Sequence, residues 1–296
     1  MTPSALEVTV GRDSVRVGDR FELALQRTLR VPEDGGTYPL PPGLGRLPLV
    51  RGDGGVVLAP LYQREAVWLA FRGASWKPSA VQVGVGRINA ISGEPWGEGL
   101  SDDPQDYVVA PDQPWLDGIN SGAGTVRQFV AVPLGSGRTV EGQLTGEESE
   151  DALVARVFEP RPGRFPDEPP PPGLSVSAMG ASGMGLGAGG QIRQKLYPDR
   201  HGIDTWDPER TATVRIRLLN SELWSELTGL PVPPTPVTPE VYSQYGLPWF
   251  ELYDADREDI AESERFAGLA GTADEPEEGV AVDPDQVLGI RRDGEE

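Results

Sequence analysis

The chain has 296 residues, 38% of them hydrophobic, with 38 Gly, 30 Pro, no Cys, one His and a formal net charge of −20. Without cysteine there can be no disulfide, thiolate zinc site, iron–sulfur cluster or cysteine nucleophile, and any imidazole chemistry must run through His201. The acidity argues against nucleic acid and anionic membrane surfaces, because cationic side chains supply most of that affinity.

High Gly and Pro with modest hydrophobicity predict many short elements and turns rather than long helices. No apolar run reaches the roughly 18 residues that a membrane span needs. The N-terminal MTPSALEVTVGRD has neither a basic n-region nor an apolar h-region. No secretory signal is expected, and the cytoplasm is the expected compartment.

Leu6–Val10 alternates in hydrophobicity, and Ser14–Asp19 turns into Phe21–Leu25, so residues 5–31 predict two or three strands. Thr37–Pro48 is too proline-rich for a central strand. Ala66–Phe71 is apolar on both faces and predicts a buried strand. In Ala80–Gly86 the valines share one face, and the glycines opposite mark a bulge or a close approach of another backbone. Thr125–Leu134, a turn at Gly135-Ser136-Gly137 and Thr139–Thr145 read as a β-hairpin, with Val140, Gly142 and Leu144 on one face of the returning strand. Ala152–Phe158 and Thr211–Leu219 complete the predicted strands.

Pro160–Gly173 reads as a polyproline-type spacer or surface excursion. Ser221 and Gly229 bracket a short helix, and Thr238 with Pro239 opens a second one through Tyr245. Leu247–Tyr253 reads as an aromatic clamp onto the body. From Asp254 onward there are 15 acidic and 4 basic residues, and at least the last 25 residues are expected to be poorly ordered. The expected organisation is a β-sandwich body at 1–159, a Pro/Gly-rich spacer or loop at 160–190, a strand with short helices packing on the body at 191–253, and an acidic, partly disordered tail at 254–296.

Two motifs bear on chemistry. Gly185–Gly190 matches G-x-G-x-x-G, but the surrounding chain reads as antiparallel β and only about two turns of helix could follow before Pro198. A flexible or tightly packed glycine loop is expected instead. Asp199, His201, Asp204 and Asp207 form the densest cluster of possible ligands, able in principle to hold Ca²⁺ or another divalent ion, and Asp204 with Asp207 could do acid–base work on a glycoside. Pro198 and Pro208 flank the cluster, so turn chemistry is the expectation and the ion site the alternative.

The segments QPWLDGI (Gln113–Ile119), VRQFVAVPLG (Val126–Gly135), TVEGQLTG (Thr139–Gly146), MGLGAGGQIRQKLYPD (Met184–Asp199) and YGLPWFELYD (Tyr245–Asp254) together resemble a widespread family of uncharacterised bacterial and fungal proteins, some labelled as integral membrane proteins. The resemblance implies no catalytic residue, substrate or cofactor, and the membrane label conflicts with the lack of a spanning segment.

The expected fold is mainly β, an antiparallel β-sandwich or jelly-roll-like body with a small C-terminal helical appendix. The expected function is non-enzymatic: a soluble cytoplasmic binding or scaffold protein, without cofactor, partnered by an unknown protein or by itself. The alternatives are a carboxylate-dependent hydrolase acting on carbohydrate and a Ca²⁺-binding β protein.

Overall fold

The computed structural model describes residues 5–169, 185–231 and 258–272. In chain order the strands are β1 (Val8–Val10), β2 (Val15–Val17), β3 (Phe21–Thr28), β4 (Thr37–Tyr38), β5 (Gly43–Arg46), β6 (Val50–Arg51), β7 (Val57–Pro60), β8 (Ala66–Arg72), β9 (Ser79–Val85), β10 (Ile88–Asn89), β11 (Val108–Ala110), β12 (Trp115–Leu116), β13 (Gly118–Gly122), β14 (Thr125–Val132), β15 (Asp151–Pro160), β16 (Gly185–Arg193) and β17 (Trp206–Leu219). Two helices, α1 (Val140–Thr145) and α2 (Ser221–Thr228), join them.

The strands form two sheets. The larger runs β1-β2-β3-β8-β14-β16-β4, with β5, β12 and β13 attached at β3, β8 and β14. The smaller runs β10-β9-β15-β17-β7-β6, with β11 attached at β9. Pairing is antiparallel except at β16–β4 and β17–β7.

Period-two alternation decides which side chains meet between the sheets. Leu23, Leu25, Val67, Leu69, Phe71 and Phe129 of the larger sheet share one buried cluster with Val81, Val83, Val85, Leu153, Val157, Val214 and Ile216 of the smaller. This is a β-sandwich, as the alternation predicts. Each such side chain contributes about 1.5–3 kcal/mol by leaving water. On the outer face of β9, Gly84 leaves room for a ring rather than a backbone: a Cβ there would sit 2.7 Å from Trp96. Arg156 stacks over that indole, 5.4 Å from its centre.

Two sequence expectations are corrected. Thr139–Thr145 is no returning strand. The Thr139 hydroxyl accepts the Gly142 amide at 2.9 Å, and Gly146 takes φ 76° at the exit, so capping closes a helical turn. The glycine run is neither loop nor spacer, since Gly185–Arg193 is a strand between β14 and β4. Within the expected acidic tail, residues 258–272 pack on the body and bury Ile260, Phe266, Leu269 and Thr272.

Helix α2 forms where the sequence places it, with Asn220 rather than Ser221 as its N-cap and Trp224 as its buried anchor. The second predicted helix, the Leu247–Tyr253 clamp and the last 24 residues lie outside the described residues. Among the described residues no helix is long and apolar enough to cross a membrane.

Candidate functional site

The predicted ligand cluster does not converge. Asp199 is consumed by its own neighbourhood: one carboxylate oxygen accepts the Tyr107 hydroxyl at 2.6 Å and the Trp206 indole N–H at 2.8 Å, and the other accepts the His201 amide at 2.8 Å. The His201 ring packs edge-on against Phe165 and Trp206, and its buried Nε2 has no hydrogen-bond partner. Asp204 is exposed in a 3₁₀ turn, Ile203–Thr205, and its backbone carbonyl accepts Arg161 at 3.2 Å. Asp207 accepts the Glu209 amide at 3.0 Å, an Asx turn before Pro208. Among the described residues no three His, Asp or Glu side chains are placed to hold a metal ion. The physical reason is local: turn amides and aromatic donors take the oxygens that an ion would need.

The glycine run has a packing role. A Cβ at Gly189 would press on Val130 and Gln128, and one at Gly190 would strike the Pro32 carbonyl. As a strand it also lacks the helix N-terminus on which a pyrophosphate would rest. What the missing side chains leave open is backbone, and Arg127 uses it. This residue lies opposite Gln191 across the β14–β16 ladder and donates to the carbonyls of Ala188 at 3.2 Å and Gly189 at 3.4 Å. Its third bond, to the Leu269 carbonyl at 2.7 Å, reaches the segment 258–272.

That segment forms a strap along the larger sheet. Asp259 accepts the amides of Leu196 at 2.8 Å and Gly124 at 2.6 Å, while the Ile260 amide donates to the Leu196 carbonyl at 2.8 Å. Asn120 donates to the Ala261 carbonyl at 2.8 Å, and Phe266 is buried behind it in a 3₁₀ turn, Glu264–Phe266. At the far end Glu33 accepts the amide and hydroxyl of Thr272, and Arg30 at 2.6 Å.

Between strap and sheet lies an open cleft of about 440 Å³. Arg127, Gln191 and Ser121 line it from the sheet, Glu33 and Gly36 from the β3–β4 connection, and Glu262 and Ala267 from the strap. Burial lowers the pKa of Arg127, an effect opposed by the negative charge of Glu33. Burial pushes the Glu33 carboxyl up, but the hydrogen bonds from Thr272 and Arg30 outweigh it and hold the group below its ordinary value.

Comparison with known proteins leaves the site to its own chemistry: no family model, curated protein or solved structure matches the chain. The sequence reading missed this cleft altogether. Its walls come from residues 33–36, 121–127, 189–191 and 262–271, which no motif connects. The one local signal was the glycine run, whose bare backbone forms part of the wall.

Proposed function

We propose that this chain is a non-enzymatic binding protein that takes a small polar ligand in the cleft between the β14–β16 ladder and the strap. The observation that carries this reading is the cleft itself, with a fixed guanidinium and bare glycine backbone in its wall. Its volume falls within the range of about 300–1,000 Å³ usual for small-molecule sites. Arg127 still has N–H groups to offer a carboxylate, phosphate or hydroxyl oxygen, since a guanidinium carries five donors. The walls are pre-organised by strap hydrogen bonds, which lowers the ordering cost of binding.

Glu33 is unsuited to act as a general acid in the cleft. Held ionised by Thr272 and Arg30, it has no proton to give a leaving group at neutral pH. The net charge of −20 supports a ligand other than nucleic acid.

The test is a thermal-shift screen with amino acids, dicarboxylates, monosaccharides and sugar phosphates at millimolar concentration. Wild-type protein is expected to gain stability with one class, by RT ln(1 + [L]/Kd). Ala267→Trp, which fills the cleft from an exposed position, is expected to keep the fold and lose the shift. An equal shift in that variant, or none in the wild type, would contradict the proposal.

A further inference from the structure

Among the described residues, three charged side chains line the cleft: Glu33, Arg127 and Glu262. The charge of Glu33 is already met, since Arg30 pairs with it at 2.6 Å and the Thr272 amide and hydroxyl bond to it. Arg127 bonds only the backbone carbonyls of Ala188, Gly189 and Leu269, so no carboxylate touches its guanidinium. Glu33 acts on it only through space. Glu262 is exposed and makes no hydrogen bond or ion pair among the described residues. The cleft therefore holds one cation and one anion that no contact neutralises.

Glycines fix where these two charges stand. A Cβ at Gly122 would lie 2.7 Å from a Glu262 carboxylate oxygen, which puts that group over the β13–β14 turn. A Cβ at Gly271 would lie 3.9 Å from Nη2 of Arg127, which puts the guanidinium beside strap residues 269–271. The anion and the cation thus stand at different places along one cleft of about 440 Å³. With Arg30 and Glu33 included, the four charges cancel. A dicarboxylate would bring a second anion against Glu262 or Glu33, and a neutral sugar would leave both open charges unanswered.

We propose that the ligand of this cleft is a small zwitterion, a free amino acid with an uncharged side chain, its carboxylate on Arg127 and its ammonium on Glu262. The proposal rests on the reading of the cleft as a ligand site and adds the class of ligand. Both contacts are charge-assisted hydrogen bonds, and together they fix the orientation of the ligand. Ser121 and Gln191 supply neutral polar groups to the same walls, and Ala267 an apolar one, so no further charge is called for.

The probes are L-serine, L-leucine and L-glutamine, titrated calorimetrically at neutral pH. For whichever binds, the N-acetyl derivative and the carboxamide are titrated in parallel, removing one ligand charge at a time. Each is expected to bind at least about tenfold more weakly, the scale of a lost hydrogen bond between charged groups. The carboxylate half is tested on the ligand because Arg127 also holds the strap. The ammonium half is tested on both partners: Glu262→Gln, at an exposed position, is expected to weaken the free amino acid and to bring its affinity close to that of the N-acetyl form. A free amino acid that binds no better than its N-acetyl or carboxamide derivative overturns the proposal, as does Glu262→Gln binding it as tightly as the wild type. A sugar or dicarboxylate that binds instead, and that Ala267→Trp excludes, overturns the zwitterion while leaving the cleft a ligand site. Loss of neither in Ala267→Trp, or no binding by any of these compounds, removes the site and the zwitterion together.

Discussion

The Arg127 guanidinium donates to the Leu269 carbonyl at 2.7 Å, across 142 positions of sequence. This one bond closes the strap over the larger sheet and fixes one wall of the cleft. With the Glu33–Thr272 pair beside it and the Asp259 bonds to Leu196 and Gly124 at the other end, it makes residues 258–272 part of the folded body.

The strap should therefore matter for stability. Phe266 is 1% exposed, so Phe266→Ala should cost about 3 kcal/mol, a fall of several degrees in Tm. A chain ending at Thr272 should melt well above one ending at residue 257. Glu33→Gln should loosen the far end and speed proteolysis within 258–272. Because the folded pKa of Glu33 is lowered, its contribution is present above the ordinary glutamate value and lost as pH falls through the folded one. Acid should thus reproduce the Glu33→Gln effect. Equal melting of the two truncated chains would show that the strap adds nothing.

Asp117 should give the protein an opposite pH dependence. Its side chain is fully buried, neither oxygen makes a hydrogen bond, and burial pushes its pKa up to about 8, opposed only by the nearby Trp115 indole N–H. The folded state then binds a proton that the unfolded chain releases near pH 4. Stability from this group is full below that value, declines as pH rises towards about 8, and then levels off. The slope is at most about 1.4 kcal/mol per pH unit. Asp117→Asn should flatten denaturation midpoints between pH 5 and pH 8, roughly the interval set by the two states, and stabilise the protein at the upper end. An unchanged slope would mean that Asp117 is not the group responsible.

The Asp199–Asp207 stretch should behave as a turn. Asp199→Ala strands the Tyr107 hydroxyl and the Trp206 indole, a loss of about 1–3 kcal/mol. Asp204→Asn, at an exposed carboxylate, should stay within about 0.5 kcal/mol of the wild type. Neither Ca²⁺ nor Mn²⁺ should raise the melting temperature of the wild type in a way that Asp204→Asn removes. Such a metal-dependent shift would restore the ion-site reading.

Gly190→Ala should be among the most damaging single-methyl changes in the chain. The added carbon would meet the Pro32 backbone carbonyl, which cannot step aside as a flexible side-chain end could. Overpacking of this kind costs about 1–3 kcal/mol. A chemical denaturation midpoint equal to the wild type would show that the β16–β4 edge is looser than its packing implies.

Much of the sandwich was legible because alternation survives in β15 and β17, where Leu153, Ala155 and Val157, and Val214, Ile216 and Leu218, recur at every second residue. Two errors share one cause, that short segments satisfy more than one pattern. Val140, Gly142 and Leu144 fit a strand, but Thr139 and Gly146 fit helix caps, and the caps prevailed. Gly185–Gly190 lacks the side chains from which strand periodicity is read, although bare backbone is what the β14–β16 contact requires. The strap was hidden by composition, because acidic residues surround Ile260, Phe266 and Leu269 and mask their burial. The cleft was not legible at all, since tertiary packing alone joins residues 33 and 262.

The claim of a ligand cleft is tested most directly by amide chemical-shift mapping during titration with the compound class that stabilises the protein. The account predicts that shifts concentrate at Ser121, Arg127, Gln191 and Ala267, that the Arg127 side-chain N–H moves with them, and that Ala267→Trp suppresses the whole set. Shifts centred elsewhere on the sandwich, or a full response in Ala267→Trp, would contradict it.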